Sequence, residues 1–224
     1  MIRTFAVLFA VGFALVQSKK CVDGKNNVIR VLDTTNGKGK VIIRDLEIGT
    51  YDKNKKPICQ NGKAQFTLPG NFKILKGTIQ VVEPVKDGNK PLQLSLNLEK
   101  NSLLVGVVCQ NGESKNTFVP NELCKYDLCK ISSICGLLSV KTSNPIELAP
   151  LVGKEFIDIG TMPVPQLAGD WKLSVKLIQG DRVLGGVRVG KANEWLAIET
   201  LEGDGDSTQE PEEEESAPQD HEEL

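Results

Sequence analysis

Two stretches of the chain alternate between apolar and polar residues, and this period of two constrains the fold more than any other feature. The apolar positions are Leu92, Leu94, Leu96 and Leu98 in PLQLSLNLEK, and Trp171, Leu173, Val175 and Leu177 in WKLSVKLIQ. Successive side chains of a β-strand point to opposite faces of the sheet, so each stretch predicts a strand with one apolar face and one wet face.

Several further segments have strand composition, and turn residues such as Asp87-Gly88-Asn89 and Gln179-Gly180-Asp181 separate them. These strand candidates are Asn27–Leu32, Val41–Ile48, Gln65–Leu68, Phe72–Val82, Leu103–Cys109, Phe156–Ile159 and Arg182–Val189. The one helical candidate is Asn121–Ile134. Many short strands predict an all-β fold, an antiparallel two-sheet sandwich of immunoglobulin type with one short helix in the cysteine-rich segment. The pattern is equally typical of a closed sandwich and of one held open around a cavity.

Residues 1–18 are typical of a secretory signal peptide. Arg3 precedes an apolar run from Phe5 to Val16, and the small residue Ser18 stands where cleavage is expected. A helix of this run would span about 18 Å, which is short of the roughly 30 Å of hydrocarbon in a bilayer. We therefore expect the chain to enter the secretory pathway.

Residues 201–224 form an acidic tail, which we expect to be disordered because it has no aliphatic run and no aromatic residue to bury. From Glu202 onward the tail has eleven carboxylates and no Lys or Arg, and the rest of the chain without Arg3 has 26 basic and 18 acidic residues. Its last four residues, HEEL, resemble the lumenal retrieval signals KDEL and HDEL, with Glu222 at the aspartate position. The chain is thus expected to be secreted or retained in the lumen of the endoplasmic reticulum. Residues 19–200 are expected to form one domain.

The predicted signal peptide implies an oxidising compartment, where paired cysteines persist as disulfides. Six cysteines follow it, and six allow fifteen pairings, which spacing alone does not resolve. Neither a zinc site nor a Cys-x-x-Cys redox site fits the spacing, and the one histidine, His221, lies in the tail. The sequence therefore predicts structural disulfides, no metal and no cofactor.

Catalytic and nucleic-acid-binding signatures are not found in the sequence. A Ser-His-Asp or Cys-His arrangement needs an imidazole in the folded part, and His221 lies outside it. No phosphate-binding glycine loop and no H-E-x-x-H motif occurs. The chain is basic without its tail, but a signal peptide and only two tyrosines argue against a nucleic-acid partner. We expect a protein that is not an enzyme.

Several fragments together resemble the ML (lipid-recognition) domain family, and within it the lysosomal ganglioside activators. They are CVDGKNNVIR from Cys21, LPGN from Leu68, LQLSLNLEK ahead of Cys109, KEF at Lys154–Phe156, and GDWKLSVKLIQGDRVLGGVRV as the final hairpin. The resemblance implies a β-sandwich opened into an apolar cup that takes the acyl chains of a lipid. It also implies transient contact with membranes and presentation of glycolipid to a glycosidase.

The resemblance also implies a set of disulfides. In the ganglioside activators the first cysteine pairs with one in the final strand, where this chain has Gly186. Cys59 lies in an inserted lysine-rich segment, KNKKPICQNGK. The expected pairs are therefore Cys21–Cys59, Cys109–Cys124 and Cys129–Cys135.

Two groups of residues are the candidate lipid site by resemblance. An apolar loop before the final hairpin is expected at the membrane-facing rim, and inward strand positions are expected to line the cup. The rim group is Phe156, Ile157, Ile159, Met162, Val164 and Leu167, and the wall group is Leu94, Leu96, Trp171, Leu173 and Val175. The alternative is that the rim group is ordinary core.

The sequence is compatible with three functions. The first is a lipid-binding or lipid-transfer protein, whose ligand class (sphingolipid, glycolipid or sterol) the sequence leaves open. The second is a secreted β-sandwich interaction module without a ligand. The third is a weak calcium buffer acting through the acidic tail. The chain has no N-x-[ST] acceptor for an N-glycan, which makes a lysosomal destination less expected than secretion or retention.

Overall fold

The computed structural model describes residues 20–152, 156–159 and 168–200, with only the backbone at positions 158 and 159. The predicted signal peptide and acidic tail lie outside these residues. The strands are β1 (Val28–Asp33), β2 (Val41–Asp52), β3 (Cys59–Gln60), β4 (Lys63–Ala64), β5 (Phe66–Leu68), β6 (Gly70–Val81), β7 (Leu92–Lys100), β8 (Val107–Gln110), β9 (Glu113–Ser114), β10 (Lys125–Asp127), β11 (Ile146–Glu147), β12 (Ile157–Ile159), β13 (Gly169–Gln179), β14 (Arg182–Val189) and β15 (Leu196–Thr200). The helices are α1 (Leu128–Ile131), α2 (Cys135–Leu138) and α3 (Leu148–Val152), and Asn121–Leu123 form one 3₁₀ turn.

Thirteen strands of the described chain form one sheet, and β3 and β4 form a separate hairpin. The main path runs β11-β6-β2-β1-β14-β13-β7-β8-β9, and every pairing along it is antiparallel. Leu177 lies opposite Leu94, Val175 opposite Leu96, and Leu173 opposite Leu98. Directly opposed residues share a face, so the apolar faces predicted for β7 and β13 coincide.

The sheet folds over on itself and encloses the core between two layers. Ile79 of β6 and Leu92 of β7 belong to one buried cluster, although four strands separate β6 from β7 in the sheet order. Five strand spacings on a flat sheet would place these two strands about 24 Å apart. The predicted all-β, sandwich-like fold is confirmed, and the β1–β14 ladder joins its two layers into a single sheet.

A bulge in β2 keeps apolar side chains on the inner face along the whole strand. The pairing of β2 with β6 shifts register between Arg44 and Glu47. One inserted residue exchanges the two faces of a strand, so the inward series passes from Val41 and Ile43 to Leu46 and Ile48. Opposite the bulge, Gly77 has φ +136°, and a Cβ there would lie 2.8 Å from the Cα of Leu46. Glycine is therefore required at this position.

The cysteine-rich segment departs from the predicted single helix over Asn121–Ile134. It contains the 3₁₀ turn, strand β10 and helix α1, and α2 follows after it. Tyr126 of β10 pairs with Leu94, and the Leu96 N–H donates to the Cys124 carbonyl oxygen at 2.9 Å. These backbone bonds to β7 hold Lys125–Asp127 extended, so the predicted helix is interrupted and only Leu128–Ile131 is α-helical within it.

Two other boundaries differ from the prediction. The expected strand Leu103–Cys109 begins at Val107, because residues 101–106 form a turn in which the Lys100 N–H donates to the Gly106 carbonyl oxygen at 2.8 Å. Strand β15 was not predicted, and it pairs in parallel with β5 and antiparallel with β13.

The three disulfides are those expected, and no free cysteine is found among the described residues. Cys21–Cys59, Cys109–Cys124 and Cys129–Cys135 have Cα–Cα distances of 5.7, 5.5 and 5.5 Å. Three disulfides indicate an oxidising, extracellular or secretory compartment. None of the helices in the described part of the chain is long and apolar enough to cross a bilayer.

Substituting Gly77 tests the bulge. We expect Gly77→Ala to lower the free energy of unfolding by about 2–4 kcal/mol, because it combines a positive φ with overpacking against Leu46. Gly88 has no atom within 4 Å of an added Cβ, so Gly88→Ala is the matched control and should change stability by about 0.5 kcal/mol or less. Urea unfolding of both variants is the measurement. Equal stabilities of the two variants would contradict this account of the bulge.

Candidate functional site: an apolar pocket under the cysteine-rich segment

An apolar pocket of about 140 Å³ lies between the two layers, below the cysteine-rich segment. Every lining residue is aliphatic or glycine. The lining consists of Val41, Ile43, Ile79, Leu94, Leu128, Ile134, Leu138, Val175, Leu177, Gly185, Gly186 and Val187. With no lining side chain that carries a hydrogen-bonding group, the pocket suits a hydrocarbon group and offers little to a polar ligand.

Short helices form the cover of this pocket. Helix α1 begins at Asp127, whose carboxylate accepts a hydrogen bond from the Cys129 N–H at 3.2 Å. The Cys129–Cys135 disulfide joins α1 to α2, so Leu128 and Leu138 reach the pocket from two helices that are covalently linked. Both leucines are buried. The cysteine cluster thus positions apolar side chains over the pocket.

The inner face of the central strands is incompletely covered. Leu96, Val175 and Val187 form one row across β7, β13 and β14, and all three are half-buried. The next row, Leu98 and Leu173, is half-buried as well. Inward positions of central strands in a closed sandwich pack against the opposite layer and lose their accessibility. These rows are therefore less completely covered than the buried clusters beside them, although Leu96 and Leu98 still contact the cluster of Val108 and Trp171.

The size of the pocket limits what it holds in this conformation. Sites for drug-sized ligands measure about 300–1,000 Å³, whereas a dry cavity of about 150 Å³ accommodates benzene. The pocket of about 140 Å³ therefore accommodates a short alkyl segment. A complete acyl chain would have to extend along the half-buried rows of β7 and β13.

The predicted wall residues divide into three groups. Leu94 and Val175 line the pocket. Leu96 and Leu173 are half-buried on the same face, farther along the strands. Trp171 is 2% exposed and belongs to a different cluster with Leu68 and Val108. Two of the five predicted wall residues therefore line the pocket, two lie farther along the same face, and Trp171 is a core residue.

Other pocket residues were not singled out from the sequence. Val41 and Ile43 of β2 lie before the bulge, and Leu128, Ile134 and Leu138 belong to the misassigned helical segment. Strand composition identified Val41–Ile48 as a strand, but it could not show that β2 faces β13 across the pocket. The apolar residues beside Cys129 and Cys135 were the available signal for the cover.

The described part of the predicted rim lies at the opposite end of β6 from the pocket. Ile157 pairs with Phe72, whereas Ile79 at the pocket is seven residues farther along β6, or about 23 Å at 3.3 Å per residue. Phe156 and Ile157 are half-buried, and Ile159 ends β12. Met162, Val164 and Leu167 lie outside the described residues. Membrane contact by this group stays a prediction.

Phe156 is held by an aromatic and two cationic neighbours. The Tyr51 ring meets it edge-on with centroids 4.8 Å apart, and the Nζ atoms of Lys55 and Lys73 lie 5.2 and 5.5 Å from its centroid. Tyr51 Oη donates to Asp23 Oδ1 at 2.8 Å. Burial, together with this hydrogen bond, raises the pKa of Tyr51 to about 12.

No cluster of three or more histidine, cysteine or carboxylate residues suited to a metal ion occurs in the described part of the chain. Comparison with known proteins finds no matching family model and no matching curated protein.

The titration of Tyr51 can be isolated because the chain has two tyrosines. In a Tyr126→Phe variant we expect a phenolate absorbance midpoint near pH 12, measured by stopped-flow at 295 nm, and a return to about 10 on unfolding. A raised folded-state pKa means that the neutral phenol stabilises the fold below pH 10, and that this stabilisation is lost as the pH rises from 10 to 12.

The matched control adds Asp23→Asn, which removes the carboxylate acceptor and should lower the midpoint. A midpoint near 10 in the folded Tyr126→Phe variant would contradict the burial and the hydrogen bond assigned to Tyr51.

Proposed function

We propose that the protein is a lipid-binding or lipid-transfer protein of the secretory pathway and not an enzyme. The observation that carries the proposal is the half-buried apolar face of β7, β13 and β14, which continues into a pocket lined only by aliphatic residues and glycine. Burying a methylene group is favourable by about 0.8 kcal/mol, so an acyl chain along these rows would gain several kcal/mol from transfer out of water.

The proposed ligand is a single lipid whose hydrocarbon part (an acyl chain, or the rings and alkyl side chain of a sterol) follows the rows of Leu96 and Leu98 and ends in the pocket. This route would use the wall residues Leu94, Leu96, Leu173 and Val175, and the polar head would remain outside. The ligand class is a sphingolipid, glycolipid or sterol, as the resemblance to the ML domain family implies. That resemblance also supports transient membrane contact and presentation of glycolipid to a glycosidase.

The three disulfides support a place in the secretory pathway. Within it, we propose secretion or retention in the endoplasmic reticulum lumen through the HEEL sequence of residues 221–224.

A second candidate is a β-sandwich interaction module without a ligand. The volume of the pocket favours it, because about 140 Å³ is small for a lipid site. The two candidates differ in whether the half-buried rows take up hydrocarbon.

A substitution that fills the pocket separates them. We expect Val175→Phe to weaken binding of a fluorescent acyl-chain probe about tenfold or more, because the added ring occupies the end of the proposed path. Val183→Phe is the matched control, since Val183 is 54% exposed on neighbouring β14 and should leave binding unchanged. Probe titration, with thermal unfolding of each variant, is the measurement.

Lipid binding at this site would be contradicted if Val175→Phe bound the probe as well as the unchanged protein, or if both variants lost binding equally. Failure of the unchanged protein to bind the probe saturably would favour the module without a ligand.

A further inference from the structure

The surface around the inserted segment carries a concentrated positive charge. We name it the lysine patch and define it as Lys53, Lys55, Lys56 and Lys73. The first three are exposed, and Lys73 is half-buried. Within the described residues, none of these four lysines forms an ion pair with a carboxylate. Unpaired like charges at this density repel one another, and an anionic partner would relieve that repulsion.

The backbone fixes the position of these lysines. Asp52 Oδ1 accepts hydrogen bonds from the N–H groups of Asn54 and Lys56, both at 2.8 Å, which closes the turn that bears three of the lysines. The Nζ atoms of Lys55 and Lys73 both lie over the Phe156 ring, so β6 contributes to the same surface as the turn. Asp52 Oδ1 is engaged by the backbone, and Asp52 forms no ion pair with a patch lysine within the described residues.

The described chain ends beside this patch. Thr200 pairs with Leu68 of β5. Two residues farther along the chain, Gly70 pairs with Asp52, where the turn that bears Lys53, Lys55 and Lys56 begins. Strand spacings place these backbones within about 15–20 Å of each other. Glu199 Oε1 also accepts a hydrogen bond from Gln60 Nε2 at 3.0 Å, which joins β15 to the lysine-rich insertion. The segment that follows Thr200 therefore starts next to the lysine patch.

We propose that residues 202–224 bind the lysine patch of the same molecule. This segment has eleven carboxylates and no Lys or Arg, so its charge complements that of the patch. Attachment at Thr200 gives its first acidic residues a high effective concentration at the patch, which favours this surface over more distant basic ones. The contact screens the cations around Phe156, and it does not depend on whether the protein binds a lipid.

The other end of the strands provides a matched comparison. Lys38 precedes β2, Lys86 follows β6, and Lys141 lies next to Thr142, whose N–H donates to the Val81 carbonyl oxygen. All three are exposed. Fully extended, residues 202–224 span up to about 75 Å, so the segment can reach both ends of β2. Both ends are therefore within reach, and the dependence of the cross-linking preference on salt separates charge attraction from proximity to the attachment point.

The first experiment is zero-length carbodiimide cross-linking of the full chain at low salt, mapped by peptide mass spectrometry. We expect lysine–carboxylate cross-links between residues 202–224 and the lysine patch, at several times the yield to Lys38, Lys86 and Lys141. In 0.5 M NaCl the difference should largely disappear, because the Debye length falls to a few ångströms. Equal yields at the two ends at low salt would overturn the proposal.

The second experiment measures cleavage at Glu212–Glu215 by a glutamate-specific protease. We expect Lys53→Glu with Lys55→Glu and Lys56→Glu to accelerate cleavage about five- to tenfold, because the bound segment is released. The control, Lys38→Glu with Lys86→Glu and Lys141→Glu, has the same net charge and should cleave at the original rate. Equal acceleration in both variants, or none in the first, would overturn the proposal.

Discussion

The curvature of one hydrogen-bonded sheet is the constraint on which the rest of the structure depends. Because β6 and β7 stand far apart in the strand order yet share a core cluster, the sheet must fold over, and its inner face becomes a common interior. The bulge opposite Gly77 keeps β2 and β6 apolar on that face. The three clusters and the pocket are consequences of this folding.

Three disulfides tie short elements and loops to one another and to the sheet. Cys109–Cys124 holds the cysteine-rich segment against β8, and Cys129–Cys135 links the two helices over the pocket. Cys21–Cys59 ties the start of the described chain to the lysine-rich insertion. The same disulfides that stabilise the fold therefore also position the pocket cover and the base of the lysine patch.

Alternation predicted β7 and β13 well because one face of each strand is apolar. Residues 91–100 and 171–179 correspond to Leu92–Lys100 and Gly169–Gln179, and Arg182–Val189, predicted from strand composition, has the bounds that the structure gives. The single helix predicted over Asn121–Ile134 was wrong because long-range backbone pairing with β7 holds Lys125–Asp127 extended, and local sequence does not report such partners. The pocket between the layers could not be predicted from the sequence either. A strand pattern predicts which face is apolar, but it does not predict which residues cover that face.

The separation of the pocket from Phe156 changes the physical account of the proposed cup. An acyl chain entering near the predicted rim would have to pass the rows of Leu98 and Leu96 before it reached Ile79. Those half-buried rows thus connect the two ends of the strands, and they are the surface that lipid binding would desolvate. A protein without a ligand would leave that surface in contact with water.

The most direct test of lipid binding is native mass spectrometry of the protein purified from a eukaryotic secretory host, with lipid extraction of the same sample. The account predicts a mass increase that corresponds to one lipid, that disappears on denaturation and that is matched by the extracted lipid. An unliganded mass that stays unchanged after incubation with liposomes would contradict it.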